Sequence, residues 1–208
     1  MTIQNYFFDL GGVLMDLDVN RTLKAMAALS RHHGADSGFA AQDLFGVGEN
    51  RLMQDYQDGK IDTGQFLDAL YPMCRPGVSR EALIEAWDAM LLGIPQRRLE
   101  AIRNLRRKGK QVFILSNINE EHLRWSRIHF DHIGLRIGDD VTHAFFSNEM
   151  GVSKPDPYIF REAIRQSGVD PAETLYIDDM QVNVDAGARW GLQTLCARGD
   201  EWFPAVCI

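Results

Sequence analysis

A chain of 208 residues, 45% hydrophobic and 25% charged, can bury one compact core with room for a small inserted module. Its 22 lysines and arginines stand against 29 aspartates and glutamates, and the net charge of −7 argues against a nucleic-acid partner, whose binding surfaces cluster positive charge to displace counterions. Cys74, Cys196 and Cys207 fall in no metal-ligand spacing and read as reduced thiols, and the apolar N-terminal run is too short to span a bilayer, so a cytoplasmic protein without a membrane partner is expected. In chain order, residues 6–10 read as a buried strand. Residues 16–92 show no strand pattern; helical periodicity dominates (GQFLDALYPM, ALIEAWDAMLL), and so long an excursion must be its own helical module, closed by Pro95. A helix over 97–108 ends in a basic run that suits the C-terminal dipole and stops at Gly109. Then follow a strand at 111–115, a weaker one at 143–146, a helix at 157–167 opened by Asp156 and stopped by Gly168, a strand at 174–177, a helix at 181–190 and a strand at 192–196. Strand alternating with helix predicts a doubly wound parallel α/β sheet.

Such sheets bind ligands beyond the carboxyl ends of their strands. Asp9 follows the first strand, Ser116-Asn117 the second, Lys154 the weak one, and Asp178-Asp179 the next. A single aspartate at such a place is usually a turn or cap residue, and a Lys-Pro pair usually a surface turn. A full set at successive strand ends points to one centre. Its chemistry is coherent: a carboxylate can take up phosphorus, splitting one slow hydrolysis into two easier steps, and Mg2+ held by Asp9 and Asp179 relieves the repulsion between the two anions. Ser116 and Asn117 offer donors to phosphoryl oxygens, and Lys154 adds a compact positive charge.

These residues, with the phrases FFDLGGVLMDLD, VFILSNIN, GVSKPDPYIF and YIDDMQVNVDAGARWG, resemble the haloacid dehalogenase-like hydrolase superfamily, in particular its bacterial branch of alpha-D-glucose-1-phosphate phosphatases. The resemblance implies a Rossmann-like core of residues 1–15 and 93–208, with residues 16–92 as a helical cap after the first strand. It implies a phosphatase acting on a small phosphorylated metabolite, sugar 1-phosphates among the candidates; the sequence leaves monomer and homodimer both open. By the same resemblance Asp9 is the nucleophile and a metal ligand, Gly11 gives the metal its backbone carbonyl, and Asp179 is a further ligand. Asp178 stands behind them, Ser116 and Asn117 contact the phosphoryl group, and Lys154 bridges it to Asp9. Asn183 stands where the family often has another acid.

Gly11 is the departure from the pattern, because most phosphatases of the superfamily carry an aspartate there to protonate the leaving group. Its absence favours leaving groups that are already acidic, such as an anomeric hydroxyl. Asp16 and Asp18 lie nearby but read first as caps of the next helix. Two rival functions fit part of the pattern. A 2-haloacid dehalogenase uses the same nucleophile without a metal, which leaves Asp178-Asp179 unexplained, and a non-catalytic phosphometabolite-binding or regulatory protein is the other. Within the helical module His32, His33, Arg51, Gln54, Asp55 and Tyr56 are expected substrate contacts. His129-x-x-His132 reads as helix surface, Gly46-Val47-Gly48 lacks a dinucleotide fingerprint, and the apolar tail 202–208 is expected to pack on the core.

Overall fold

The computed structural model describes residues 2–31 and 51–206. In chain order they form β1 (Asn5–Phe8), β2 (Asp16–Leu17), α1 (Val19–Leu29), α2 (Leu52–Gln57), α3 (Thr63–Leu70), α4 (Arg80–Asp88), β3 (Leu91–Gly93), α5 (Gln96–Arg107), β4 (Gln111–Ser116) and α6 (Glu120–Ile133). There follow β5 (His143–Phe146), the single turn α7 (Ser147–Met150), α8 (Pro157–Ser167), β6 (Thr174–Asp178), α9 (Gln181–Ala188), β7 (Gln193–Cys196) and α10 (Phe203–Val206). His32, His33 and Gly46-Val47-Gly48 lie outside the described residues.

The five strands expected from the sequence pair in the order β5-β4-β1-β6-β7, every neighbour parallel. β1 is apolar on both faces because both are covered. Tyr6 and Phe8 pack under α5, α6 and the buried Trp202, while Phe7 packs under α8 and α9. Trp202 sits edge-on to Phe8 with ring centroids 5.0 Å apart, so the tail folds onto its own core as expected. A separate apolar cluster of Met26, Tyr56, Phe66, Leu70, Leu83 and Trp87 ties α1 to α4 together.

Three features depart from the expectations. First, residues 16–92 do contain strand: β2 pairs antiparallel with β3, where the chain leaves for the helical segment and where it returns. Strands of two and three residues are too short for a period to show. Second, the helix hinted at by the reading of His129-x-x-His132 extends over the whole of α6, and its buried positions include the polar Glu121, His122 and Ser126, which dilute its apolar period. Asn119 caps it through His122 N–H at 2.9 Å, and Gly134, at φ 70°, ends it in the left-handed conformation that glycine adopts without a Cβ clash. Third, His129 is only part-exposed: its Nε2 accepts from Ile94 N–H at 2.9 Å, and its ring stacks on Trp125. No helix among the described residues is long and apolar enough to cross a membrane.

Candidate active site

The sheet ladder carries β1 one residue past its last pair, since Asp9 N–H donates to Ile177 C=O at 2.8 Å. The aspartate is thereby fixed at the carboxyl edge, its Oδ1 accepting from Leu10 N–H at 2.7 Å. Lys154 is buried against it: Nζ lies 3.0 Å from Asp9 Oδ1 and 2.6 Å from Asp178 Oδ2, and donates to Leu115 C=O at 2.9 Å. These three contacts use the three protons of the ammonium. Asp178 is fully buried and equally committed, Oδ2 accepting also from the Tyr176 hydroxyl at 2.5 Å, and Oδ1 from Met180 N–H at 2.8 Å and Asn183 Nδ2 at 3.0 Å.

Burial pushes the Asp9 carboxyl up to about 6, with the Lys154 charge pulling the other way and Asp178 adding to the rise. Burial also works against ionised Asp178, but the charge of Lys154 and the bonds from Lys154, Tyr176 and Met180 outweigh it and hold that carboxyl below its usual range. Lys154 ends above its usual value, because two carboxylates more than offset its own burial.

Asp9, Asp178 and Asp179 each present a carboxylate oxygen, all within 4.8 Å of one another. Asp9 Oδ2 and Asp179 Oδ1 take no part in the bonds just described, while Asp179 Oδ2 meets the exposed Arg198 at 2.9 Å. Hard oxygens with spare lone pairs and excess negative charge suit magnesium. The donor set therefore fits it, with Asp9 and Asp179 each keeping one oxygen outside those bonds and Asp178 holding the lysine behind them. The adjoining loop requires glycine at position 12: its φ is 79°, and a Cβ there would lie 2.6 Å from Asp179 Oδ2.

The other expected residues fall around this centre in different capacities. Ser116 is buried at the end of β4. The side chain of Asn117 is spent on the backbone of Lys154, donating to its C=O at 2.9 Å and accepting from its N–H at 2.8 Å, so it pins the lysine loop. Asn183, in place of an acid, steadies Asp178. Asp18 caps α1 as expected, but Asp16 is drawn off into an ion pair with the buried Arg98 at 2.8 Å. At Gly11 a Cβ would meet Leu17 Cδ1 at 2.8 Å, so the space where an acid would project holds an apolar side chain. Beside Gly11 and Leu17 lies a cavity of about 50 Å³ whose wall also includes Ser116, Asn117, His122 and Ser126.

The helical segment docks beside the lysine loop through the turn after α2. Ser147 Oγ donates to Gln57 C=O at 2.7 Å, and Ser153 Oγ, one residue before Lys154, to Asp58 Oδ1 at 2.6 Å. Of the expected contacts on this segment, Tyr56 is buried with its hydroxyl 2.9 Å from Thr63 Oγ1 and accepting from Glu121 N–H. Gln54 bonds Asp58, and Arg51 lies 3.7 Å from Asp55, so these side chains serve the segment's own structure. Tyr176 was missed, though its place two residues before Asp178 puts both on one face of β6. His122 and Ser126 were missed, because only the C-terminal part of the helix that carries them was read.

Residues 3–191 match the haloacid dehalogenase-like hydrolase family. The D-ribitol-5-phosphate phosphatase of Bacteroides thetaiotaomicron is 30% identical to this chain over 208 residues, covering 99% of it and 98% of that protein. Among solved structures, a haloacid dehalogenase-family enzyme of the same organism superposes with a TM-score of 0.85 at 28% identity, covering 99% of this chain and 98% of that one. The wild-type complex of that enzyme with magnesium and inorganic phosphate gives 0.80 at 29% identity, with 94% of each chain covered. With the match spanning nearly its whole length, the chain belongs to the haloacid dehalogenase-like hydrolases and is an enzyme of that family.

Proposed function

We propose that this enzyme is a magnesium-dependent phosphatase that hydrolyses a small phosphate monoester of a sugar or sugar alcohol through an aspartyl phosphate on Asp9. The observation that carries the reading is the buried Lys154 ammonium set 3.0 Å from Asp9 and 2.6 Å from Asp178, at the edge of three clustered carboxylates. A carboxylate oxygen of Asp9 attacks phosphorus while the ester P–O bond breaks and the alcohol oxygen departs with its electron pair. Water then attacks the aspartyl phosphate, releasing phosphate and restoring the carboxylate. Lys154 balances the charge of the attacking oxygen and fixes its direction, and Ser116, at the end of β4, donates to a phosphoryl oxygen. Asp9, Asp179 and the Gly11 carbonyl would hold magnesium, which would supply the positive charge that lets a carboxylate approach a phosphate.

Residue 11 offers the leaving oxygen no proton, so a departing alkoxide takes its proton from water or from another group at the site. Residues 16–92 serve as a cap over the site, docked through Asp58 and Gln57, on a core of residues 1–15 and 93–208. The sugar-alcohol phosphatase among the relatives supports the substrate class.

The test is release of inorganic phosphate from a panel of phosphorylated sugars and polyols by wild type and Asp9→Asn. Turnover that needs magnesium and disappears in the variant is expected. Halide release from 2-haloacids in excess chelator would favour dehalogenation instead. No turnover of any activated phosphate would favour the binding protein.

A further inference from the structure

The cavity beside Gly11 has a composition that the phosphoryl chemistry does not explain. Its volume of about 50 Å³ is several times the roughly 10–15 Å³ that one water needs. Among the described residues no lysine, arginine or carboxylate lines it, and most of the wall is apolar. Besides Ser116 and Asn117 at the catalytic edge, two polar side chains break that wall, His122 and Ser126, four residues apart and therefore on one face of α6. Ser126 is fully buried, and its Oγ has no hydrogen-bond partner among the described residues. A buried hydroxyl left this way costs roughly 1–3 kcal/mol, which a ligand able to bond it would recover.

His122 is held in place from behind. Its ring stacks on Trp87 at 5.1 Å, and Nε2 lies 3.4 Å from Trp87 C=O. Burial pushes its pKa down to about 4, so the ring is neutral near pH 7 and offers one donor and one acceptor. With the Nε2 proton directed at the Trp87 carbonyl, Nδ1 is the acceptor. A hydroxyl donor and acceptor at Ser126 beside a neutral imidazole, in an uncharged pocket, match an alcohol group and not an anion.

We propose that this cavity receives a hydroxyl-bearing carbon arm of the substrate's alcohol portion, with Ser126 and His122 as its hydrogen-bond partners, and so selects polyol and sugar phosphates over esters without a neighbouring hydroxyl. The proposal rests on the phosphatase reading and deepens it. Gly11, Ser116 and Asn117 share the cavity wall, so the arm enters beside the ester and not at the far end of the cap. Leu17, filling the place of an acid at position 11, forms the opposite wall. A site that must bond a substrate hydroxyl discriminates strongly against the analogue lacking it, because its own polar groups are then left unpaired.

The experiment compares kcat/KM for ribitol 5-phosphate with that for an aryl phosphate, which has no hydroxyl arm and a leaving group acidic enough to depart unaided. The measurement is made on wild type, Ser126→Ala and His122→Asn, with thermal unfolding as a check on folding. In each variant the ratio of polyol to aryl kcat/KM should fall about tenfold. A merely structural role for α6 would lower both substrates together and leave the ratio unmoved. A ratio within twofold of wild type in a folded Ser126→Ala overturns the subsite, as does the same result in His122→Asn should the serine variant fail to fold. Failure of wild type to hydrolyse either ester with magnesium overturns the phosphatase reading and the subsite with it, so the two failures are distinguishable.

Discussion

Two walls meet at Asp9, and they are built on opposite terms. On the side of β6 and the lysine loop the polar atoms are spent: Lys154 uses all three protons, and Asp178 accepts four bonds from Lys154, Tyr176, Met180 and Asn183. On the side of Gly11, Leu17 and α6 the wall is largely apolar, and the Ser126 hydroxyl has no partner among the described residues. The contrast follows from what each wall must do. Charges that stabilise a shifting phosphoryl group work best when already fixed, since no reorganisation is then needed during the reaction. Groups that recognise an alcohol must be left to bond the ligand, and their discrimination comes from being unsatisfied without it.

The most severe way to break the contrast is to empty the satisfied wall. Lys154→Met keeps the bulk but leaves Asp9 and Asp178 facing each other without a counterion in a buried place. Removing one partner of such a network costs about 3–5 kcal/mol, and loss of the fixed charge should lower kcat by a factor of about 10³. Both effects are expected together, read from denaturant unfolding and from phosphate release. A variant as stable and active as wild type would show that the network is dispensable.

A milder test sharpens the contrast by giving the apolar wall an acid. Gly11 does not lie in the left-handed region, so an aspartate meets no backbone objection there, but its Cβ would press on Leu17 Cδ1 at 2.8 Å. Gly11→Asp alone should lower activity. Gly11→Asp with Leu17→Ala makes room for the new side chain and should raise turnover of simple alkyl phosphates by about tenfold, at the low end of what a general acid supplies. Aryl phosphates, whose leaving groups need no proton, should gain nothing. Equal gains on both classes would mean that protonation is not what the wall lacks.

The satisfied wall was legible in the sequence, and the other was not. Asp9 and Asp178-Asp179 stand at the ends of apolar runs and Lys154 in the segment that follows another, and a parallel sheet brings such positions to one edge whatever else the chain does. Leu17 on β2 and the face of α6 depend on tertiary placement. β2 has two residues and no readable period. The buried face of α6 mixes Leu123 and Phe130 with Glu121, His122 and Ser126, so its hydrophobic stripe is diluted by polar groups whose partners lie on other elements. Asn117 shows the limit within the legible part: its position was evident, but its bonding to the Lys154 backbone was not.

The smallest expected effect lies where α4 meets α6, behind the recognition wall. Burial, then the charge and hydrogen bond of Glu121, push the Asp88 carboxyl up to about 8, and Arg124 only partly opposes them. Glu121 is itself clasped by Arg124, both of its oxygens 2.9 Å from Nε, and His122 Nε2 lies 3.8 Å from Asp88 Oδ1. A carboxyl raised in the folded state favours folding fully below its unfolded value, and that contribution is lost as pH climbs through the folded value. His122, whose pKa burial lowers to about 4, acts the other way, but only up to its unfolded value near 6.5. Between about pH 6.5 and 8, therefore, the Asp88 contribution stands clear, and wild type should lose on the order of 1–3 kcal/mol, or roughly 3–10 °C in Tm. Asp88→Asn keeps a hydrogen-bonding group beside Glu121 but cannot ionise, so its melting temperature should stay nearly level across that interval. A wild-type slope that survives unchanged in the variant would place the titrating group elsewhere and leave α4 and α6 joined by packing alone.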